Sequence, residues 1–473
     1  MTSTIGTHRP AAVRGLNGGS GATGRGGVAA PPAPGTQSLA VPARWLHAVT
    51  LALAALLPVA VWPGAGQPFS SAKLWLLLAG SGALVLLGTA RALGARTDGA
   101  GSTPHLQAAW LPALWLASWL ASATVTGVAS PDALWLALAG PLWYGAIVVT
   151  GVPVRRLFVA HATGTTVAAL VAVLQALHAD PFALAGWTPV LDEAASERLR
   201  VFGTFGNPNF VAAAIVPTLA LIAGLLQTAS TPTRTVAWAA AAGLQGAAVV
   251  ATGSRGGALG LAVVAGSLAV LGLRRRTRWP VFAGVFAALS VLIFIGSQAR
   301  PLERTIEGRL YIWRVATPHV ADRPWLGHGP GSFALEYPRW EAEAWQQARV
   351  GAASARFRGP QAHAHNDYVE ALVDRGLLGL VTIVLLMATP LQHAIRQRRA
   401  GRDEPLAMAA AAAAAALGAM ALVDFPLARP AESAMAWMLA ASASRRRSTA
   451  ACRDTSVPSE PPEVGRARWM PRP

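Results

Sequence analysis

The sequence predicts an all-α polytopic membrane protein of about twelve transmembrane helices with a large external loop of short helices. Three observations predict it. Hydrophobic residues make up 53% of the 473-residue chain and charged residues only 13%, and mean hydropathy is +0.41, too apolar for an ordinary soluble domain. Apolar runs of roughly 20 residues recur along most of the length, each long enough to cross a hydrocarbon core of about 30 Å. No series of alternating strands of about ten residues is visible, which argues against a β-barrel.

The elements follow in order. Residues 1–43 are rich in Gly, Ala and Pro and hold no apolar signal-peptide core, so they are expected as a disordered cytoplasmic tail rather than a cleaved leader. The membrane domain is expected over 44–447. Its spans fall near Trp45–Trp62, Lys73–Ala90, Gln107–Gly127, Ala133–Thr150, Arg156–Leu177, Pro208–Gln227, Arg234–Thr252 and Gly256–Leu273. Trp279–Ser297, Gly376–Ile395, Pro405–Val423 and Ala431–Ser444 complete the set. Residues 448–473 are a second expected tail. The single Cys452 excludes an intramolecular disulfide and a cysteine metal cluster.

The formal net charge is +17, nearly all of it arginine. In a soluble chain this would suggest nucleic acid. Here the arginines sit between apolar runs, so they read as a topology signal and no nucleic-acid partner is expected. With a cytoplasmic N-terminus, the inside loops hold Arg91 and Arg96, Arg155 and Arg156, Arg234, Arg274–Arg276 and Arg278, Arg396–Arg402 and Arg445–Arg447. Lys73, Arg255 and Arg429 are the exceptions in outside loops. The pattern fits an even number of spans with both ends inside. Two outside segments, about 178–207 and 298–366, exceed simple connections; the second is dense in Trp, Tyr and Arg. Short helices at the membrane surface, packed over the bundle, are expected there.

The polar residues of the outside segments carry the candidate chemistry. Arg255 opens a span, where it is either an arginine reaching toward headgroups or an anion contact. Arg309 and Trp313, four apart, share a helix face. The 327-GHGPG-331 run is either a plain turn or a loop whose N–H groups meet a phosphate. Asn207-Pro208 starts a span with Pro at the first helical position, with Arg200 just outside it. In 361-QAHAHNDYVEALVDRGLLGL-380, Asn366 is an N-cap, with Asp367 and Glu370 in the first turn. Asp367, Glu370 and Asp374 share one acidic face. His363 and His365 precede the helix and are not explained by capping. A His-x-His pair can bind metal, but no nearby third ligand is apparent; proton transfer or phosphate contact fits better.

These segments together resemble the O-antigen ligase and polymerase superfamily of bacterial envelope membrane proteins. The resemblance rests on GTFGNPN (203–209), SRGG (254–257), Arg309 and Trp313 followed by DRPWLGHGPGSF (322–333), and HAHN (363–366) with GLLG downstream. The ligase signature has a His, then Asn, Ser or Gln, nine residues, and G-x-x-G; His365, Asn366 and Gly376–Gly379 match it. The match covers about 200–385, and earlier spans agree only in topology. It implies a membrane-embedded GT-C-like glycosyltransferase at the periplasmic face of the inner membrane. That enzyme would move a preassembled glycan from undecaprenyl diphosphate to a lipid A-core, glycan or protein acceptor, without metal or other cofactor. The resemblance assigns Arg255, Arg309 and Arg200 to the diphosphate, His365 as base or diphosphate contact, and His363, Asn366 and Asn209 as supporting residues. The competing reading is a secondary transporter, which twelve spans also suit; no internal repeat of matching halves supports it.

Overall fold

The computed structural model describes residues 42–97, 109–188, 201–271, 302–402 and 404–444. The expected tails 1–43 and 448–473, the span Trp279–Ser297 with Arg274–Arg278, and Arg200 lie essentially outside them. The described residues contain no strand. The helices are α1 (Ala43–Leu56), α2 (Ser71–Thr97), α3 (Trp110–Thr126), α4 (Pro131–Thr150), α5 (Val154–Ala176), α6 (Pro181–Leu184), α7 (Pro208–Gln227), α8 (Pro232–Thr252) and α9 (Arg255–Leu271). After these come α10 (Leu302–Ala316), α11 (Ser332–Gln346), α12 (Asp367–Arg399), α13 (Pro405–Met420) and α14 (Pro430–Ala443). Every expected span that falls on described residues is a helix. Among the described residues, 6 helices can cross a membrane by length and composition: those beginning at Ser71, Pro131, Val154, Pro208, Pro232 and Asp367. The first span was expected to reach Trp62, but α1 ends at Leu56. Leu57 keeps helical backbone, but Pro58 has no N–H to continue the helical ladder, and the chain turns back through Trp62–Gly66.

The centre of the bundle is built on small residues. Helix α13 is the run PLAMAAAAAAAALGAM, and its alanines from 409 to 414 are at most 3% exposed. It packs on α7, α9 and α12. A Cβ added at Gly224 would meet Ala409 at 2.6 Å, and one at Gly260 would meet the Met420 sulfur at 2.7 Å. Between apolar lipid tails there is little solvent-driven force to pull helices together, so close backbone approach and dispersion hold them.

The helices alternate in direction, and contacts define two ends. One end is marked by Gly88 against Val149, Gly224 against the Pro405 carbonyl, and Arg398 donating to the Val270 carbonyl at 2.7 Å. Arg91, Arg155, Arg156, Arg234 and the Arg396–Arg402 group lie at helix termini of this arginine-rich end. The other end carries the starts of α2, α7, α9, α12 and α14. There 302–366 folds as short helices around an apolar core of Tyr311, Ile312, Val315, Phe333, Tyr337 and Trp340.

At this second end Lys73 is only 1% exposed. Its three donors are used by the Ala60, Phe69 and Thr204 carbonyls at 2.7–2.8 Å. The ammonium therefore ties the α1–α2 loop to the FGTF turn that leads into α7. Lys73→Met leaves three buried carbonyls unpaired, so a loss on the order of 3 kcal/mol is expected. A melting temperature in detergent equal to that of the unmodified protein would contradict this.

Candidate functional site

The site begins with the start of α12. Asn366 is extended, and its Oδ1 accepts from Tyr368 N and Val369 N at 2.9 and 3.1 Å, the expected cap. His365, just before it, has φ 52°. A non-glycine residue in the left-handed region is uncommon and marks a backbone held by its surroundings. Those surroundings are specific. Trp313 Nε1 donates to the Ala364 carbonyl at 2.8 Å, and Ala364 N donates to Glu370 Oε2 at 2.9 Å. Asp367 N donates to the Ala421 carbonyl, and Asp367 Oδ2 accepts from Leu427 N. The α13–α14 loop and α10 thus clamp the histidine turn from two sides.

His365 meets the Phe425 ring at 69°, centroids 5.2 Å apart. Burial pushes its pKa below the ordinary value; Asp424 opposes this, while Arg309 and His363 add to it. Among the described residues neither ring nitrogen makes a hydrogen bond. Arg309 is half-buried on α10, and burial lowers its pKa, with Asp424 opposing and Arg255 adding to the shift. Arg255 opens α9, and its Nη1 donates to Thr305 Oγ1 at 3.1 Å. Ser254 Oγ donates to Asn209 Oδ1 at 2.8 Å, joining the starts of α9 and α7. Two guanidiniums, a histidine and Asp424 therefore lie within electrostatic reach of one another.

A cavity of about 780 Å³ lies beside this cluster, and its walls include His363, Asp367, Glu370, Asp374, Arg375, Phe425 and Arg429. Trp75, Trp115, Trp119 and Trp135 line it as well. His365, Arg255 and Arg309 are not among its lining residues. The expected acidic face of α12 turns toward this cavity. His363 Nδ1 lies 2.9 Å from Glu370 Oε1, and its ring stacks on Phe425 at 4.1 Å and 17°. Its pKa ends above the ordinary value: burial opposes the charged form, but the Glu370 hydrogen bond and charge together outweigh it. Arg429 is 6% exposed, donates to Glu432 at 2.9 Å, and pairs with Asp424 at 3.5 Å. Its guanidinium lies 3.7 Å from the Phe210 ring centroid. Arg375 is held between Trp115 and Trp119, 4.6 and 4.7 Å from their centroids, and donates to Ser118 and Thr382.

The GHGPG loop is a turn whose N–H groups are already used. Gly331 N and Phe333 N donate to the Asp374 carboxylate at 2.9 Å, and Ser332 Oγ donates at 3.0 Å. The phosphate reading of that loop is therefore set aside. The same loop repairs a break in α12, where Gly376 has φ 61° and ψ −157°. The carbonyls of Val373 and Asp374 accept from His328 N and Gly329 N, and Leu377 N donates to the Pro324 carbonyl. Freed backbone groups inside an apolar bundle must find such partners.

Of the expected site residues, the fold brings His363, His365, Asn366, Arg255, Arg309 and Asn209 to one end. Arg200 lies outside the described residues. Asn366 and Asn209 use their Oδ1 atoms structurally. Sequence reading assigned no site role to Asp424, Phe425, Arg429, Glu432 and Arg375. Arg429 and Lys73 did carry a signal, since both broke the positive-inside pattern. Among the described residues no group of three or more His, Cys, Asp or Glu is placed to hold a metal ion.

Comparison with known proteins bears out the resemblance read from the motifs. Residues 238–384 match the family model described as O-antigen ligase. The exopolysaccharide production protein ExoQ of Rhizobium meliloti (strain 1021) is 24% identical over 174 residues. That alignment covers 35% of this chain and 39% of ExoQ, well under two thirds of the relative's length.

Proposed function

We propose that this chain, with its O-antigen-ligase region over 238–384, is a GT-C-like membrane glycosyltransferase of the bacterial inner membrane. It transfers a preassembled glycan from undecaprenyl diphosphate to a lipid, glycan or protein acceptor at the periplasmic face. The observation that carries this reading is the cluster of Arg309, Arg255 and His365 at the bundle end opposite the arginine-rich one. If the arginine-rich end is cytoplasmic, as the charge rule has it, both termini are inside and the cluster faces the periplasm.

The chemistry needs little beyond positioning and charge. As the acceptor oxygen bonds to the sugar's anomeric carbon, the bond to the diphosphate breaks and its electron pair stays on the phosphate oxygen. Arg309, whose charge the nearby Arg255 disfavours, gains with Arg255 a dianionic partner; bidentate guanidinium contacts suit a phosphate. Arg200 is the proposed third contact. His365 serves as base for the acceptor hydroxyl or as a further diphosphate contact. Asn209 holds the start of α9, and Asn366 holds the start of α12, so both act through the residues they fix.

His365→Ala and Arg255→Ala are each expected to abolish glycan transfer, scored by surface glycan in a strain lacking the native gene, with the membrane protein still present. Wild-type glycan from both variants would overturn the site. Deleting the gene separates the subtypes: full-length lipid-linked chains without attachment indicate a ligase, and single repeat units indicate a polymerase.

A further inference from the structure

The two histidines of HAHN do not share a position. His365 lies in the electrostatic neighbourhood of Arg309 and Asp424, and Arg309 in turn in that of Arg255. His363 lines the adjacent cavity and is seated face-on against Phe425. Its Nδ1 faces the Glu370 carboxylate at 2.9 Å, and a carboxylate can only accept, so Nδ1 carries the proton. The lone pair is thereby placed on Nε2, which makes no hydrogen bond among the described residues. Glu370 cannot swing away easily, because its other oxygen holds Ala364 N. A base oriented by a second group, on a residue that lines a cavity, is the arrangement that proton abstraction requires.

Resting on the proposed transferase reading, we infer that His363, positioned by Glu370, accepts the proton of the acceptor's attacking hydroxyl from the cavity side, while His365 belongs with the arginines at the diphosphate. The acceptor O–H bond breaks as its oxygen bonds to the anomeric carbon. The O–H proton goes to His363 Nε2, and the electron pair of the broken glycosidic bond leaves with the lipid diphosphate. His363 then releases the proton to solvent through the cavity. The cavity's hydroxyls and carboxylates (Ser70, Ser130, Asp132) beside Trp75 and Trp135 suit a sugar acceptor, with aromatic faces for its C–H surface.

The two histidines differ in the direction of their pKa shifts, which makes the assignment testable. Besides Glu370, the charged groups acting on His363 are Arg429, from the loop before α14, and Asp374 on α12. His365 follows His363 two residues later in the same turn. A base must be neutral, so activity falls as pH drops through its pKa. For His363 that limb lies above 6.5; for His365 it lies below.

The test is transfer by the purified full-length protein in lipid nanodiscs, using undecaprenyl-diphosphate-linked glycan and acceptor extracted from the source strain, followed over pH. Wild-type transfer with an acid limb above 6.5 is expected. Glu370→Gln should move that limb to lower pH; a purely structural role would lower the rate equally at every pH, and that result would overturn the inference. His363→Gln leaves Glu370 on Ala364 N. It should reduce kcat by about 10²–10⁴-fold with little change in the donor's KM. A near-normal kcat in that variant would also overturn it. Absence of transfer by the wild-type protein under all conditions counts against the parent reading instead.

Discussion

Arg309→Ala is expected to lower glycan transfer by about 10²–10³-fold, equivalent to roughly 3–4 kcal/mol of transition-state stabilisation. The protein should remain in the membrane at normal abundance. The reason lies in the local charge balance. Arg429 is compensated by Asp424 and Glu432, and Lys73 by three carbonyls. Arg309 is half-buried, with Asp424 favouring its charge and Arg255 disfavouring it, so its two charged neighbours partly offset each other in the resting protein. On the proposed mechanism the cost falls on the step in which negative charge grows on the leaving diphosphate. Arg309→Lys keeps the charge and loses the planar fork, so an intermediate rate is expected. Transfer measured against membrane abundance decides the matter. A variant as active as wild type, or one lost from the membrane, would refute the assignment of Arg309 to charge stabilisation.

Gly376→Ala is expected to have the largest effect on folding, about 3–5 kcal/mol from backbone strain and overlap together. The φ of 61° with ψ of −157° is a conformation that only glycine adopts readily. A Cβ there would lie 2.4 Å from the Trp325 carbonyl carbon and 2.6 Å from Leu326 N, both backbone atoms. A Cβ added at Gly327 would likewise lie 2.4 Å from the Asp374 carbonyl carbon. The loop and the broken helix can approach only because both lack side chains at these points. Gly243→Ala, with no atom within 4 Å of the added carbon, is the control and should be neutral or slightly stabilising. Abundance and melting in detergent provide the readout. Equal stability of the two variants would mean the break at Gly376 is not required.

The Gly376 result shows why one part of the site was legible and another was not. The helix starts were local matters: Asn366 and Asn207 bond N–H groups two or three residues ahead, so residue type and spacing announce them. The acidic spacing of Asp367, Glu370 and Asp374 likewise foretold a shared face. The same spacing did not foretell that Asp374 would take the N–H groups of a loop more than forty residues upstream. For that reason GHGPG could be read as a phosphate loop until its donors were seen to be occupied. Nor did it separate His363 from His365, which sit two residues apart yet meet different surroundings.

The sequence by itself determined the all-helical class, the apolar helices long enough to cross a membrane and the end at which the polar motifs gather. A hydrocarbon core imposes about twenty apolar residues per span, and arginine marks one side, so these features are written in composition along the chain. Only the tertiary structure decided the partners: Lys73 with Thr204, Arg429 with Asp424 and Glu432, Arg375 between two tryptophans, and His363 with Glu370 facing a cavity. The physical reason is that burial makes a charge seek a partner wherever the packed helices bring one, and that proximity in space is not encoded in the local periodicity.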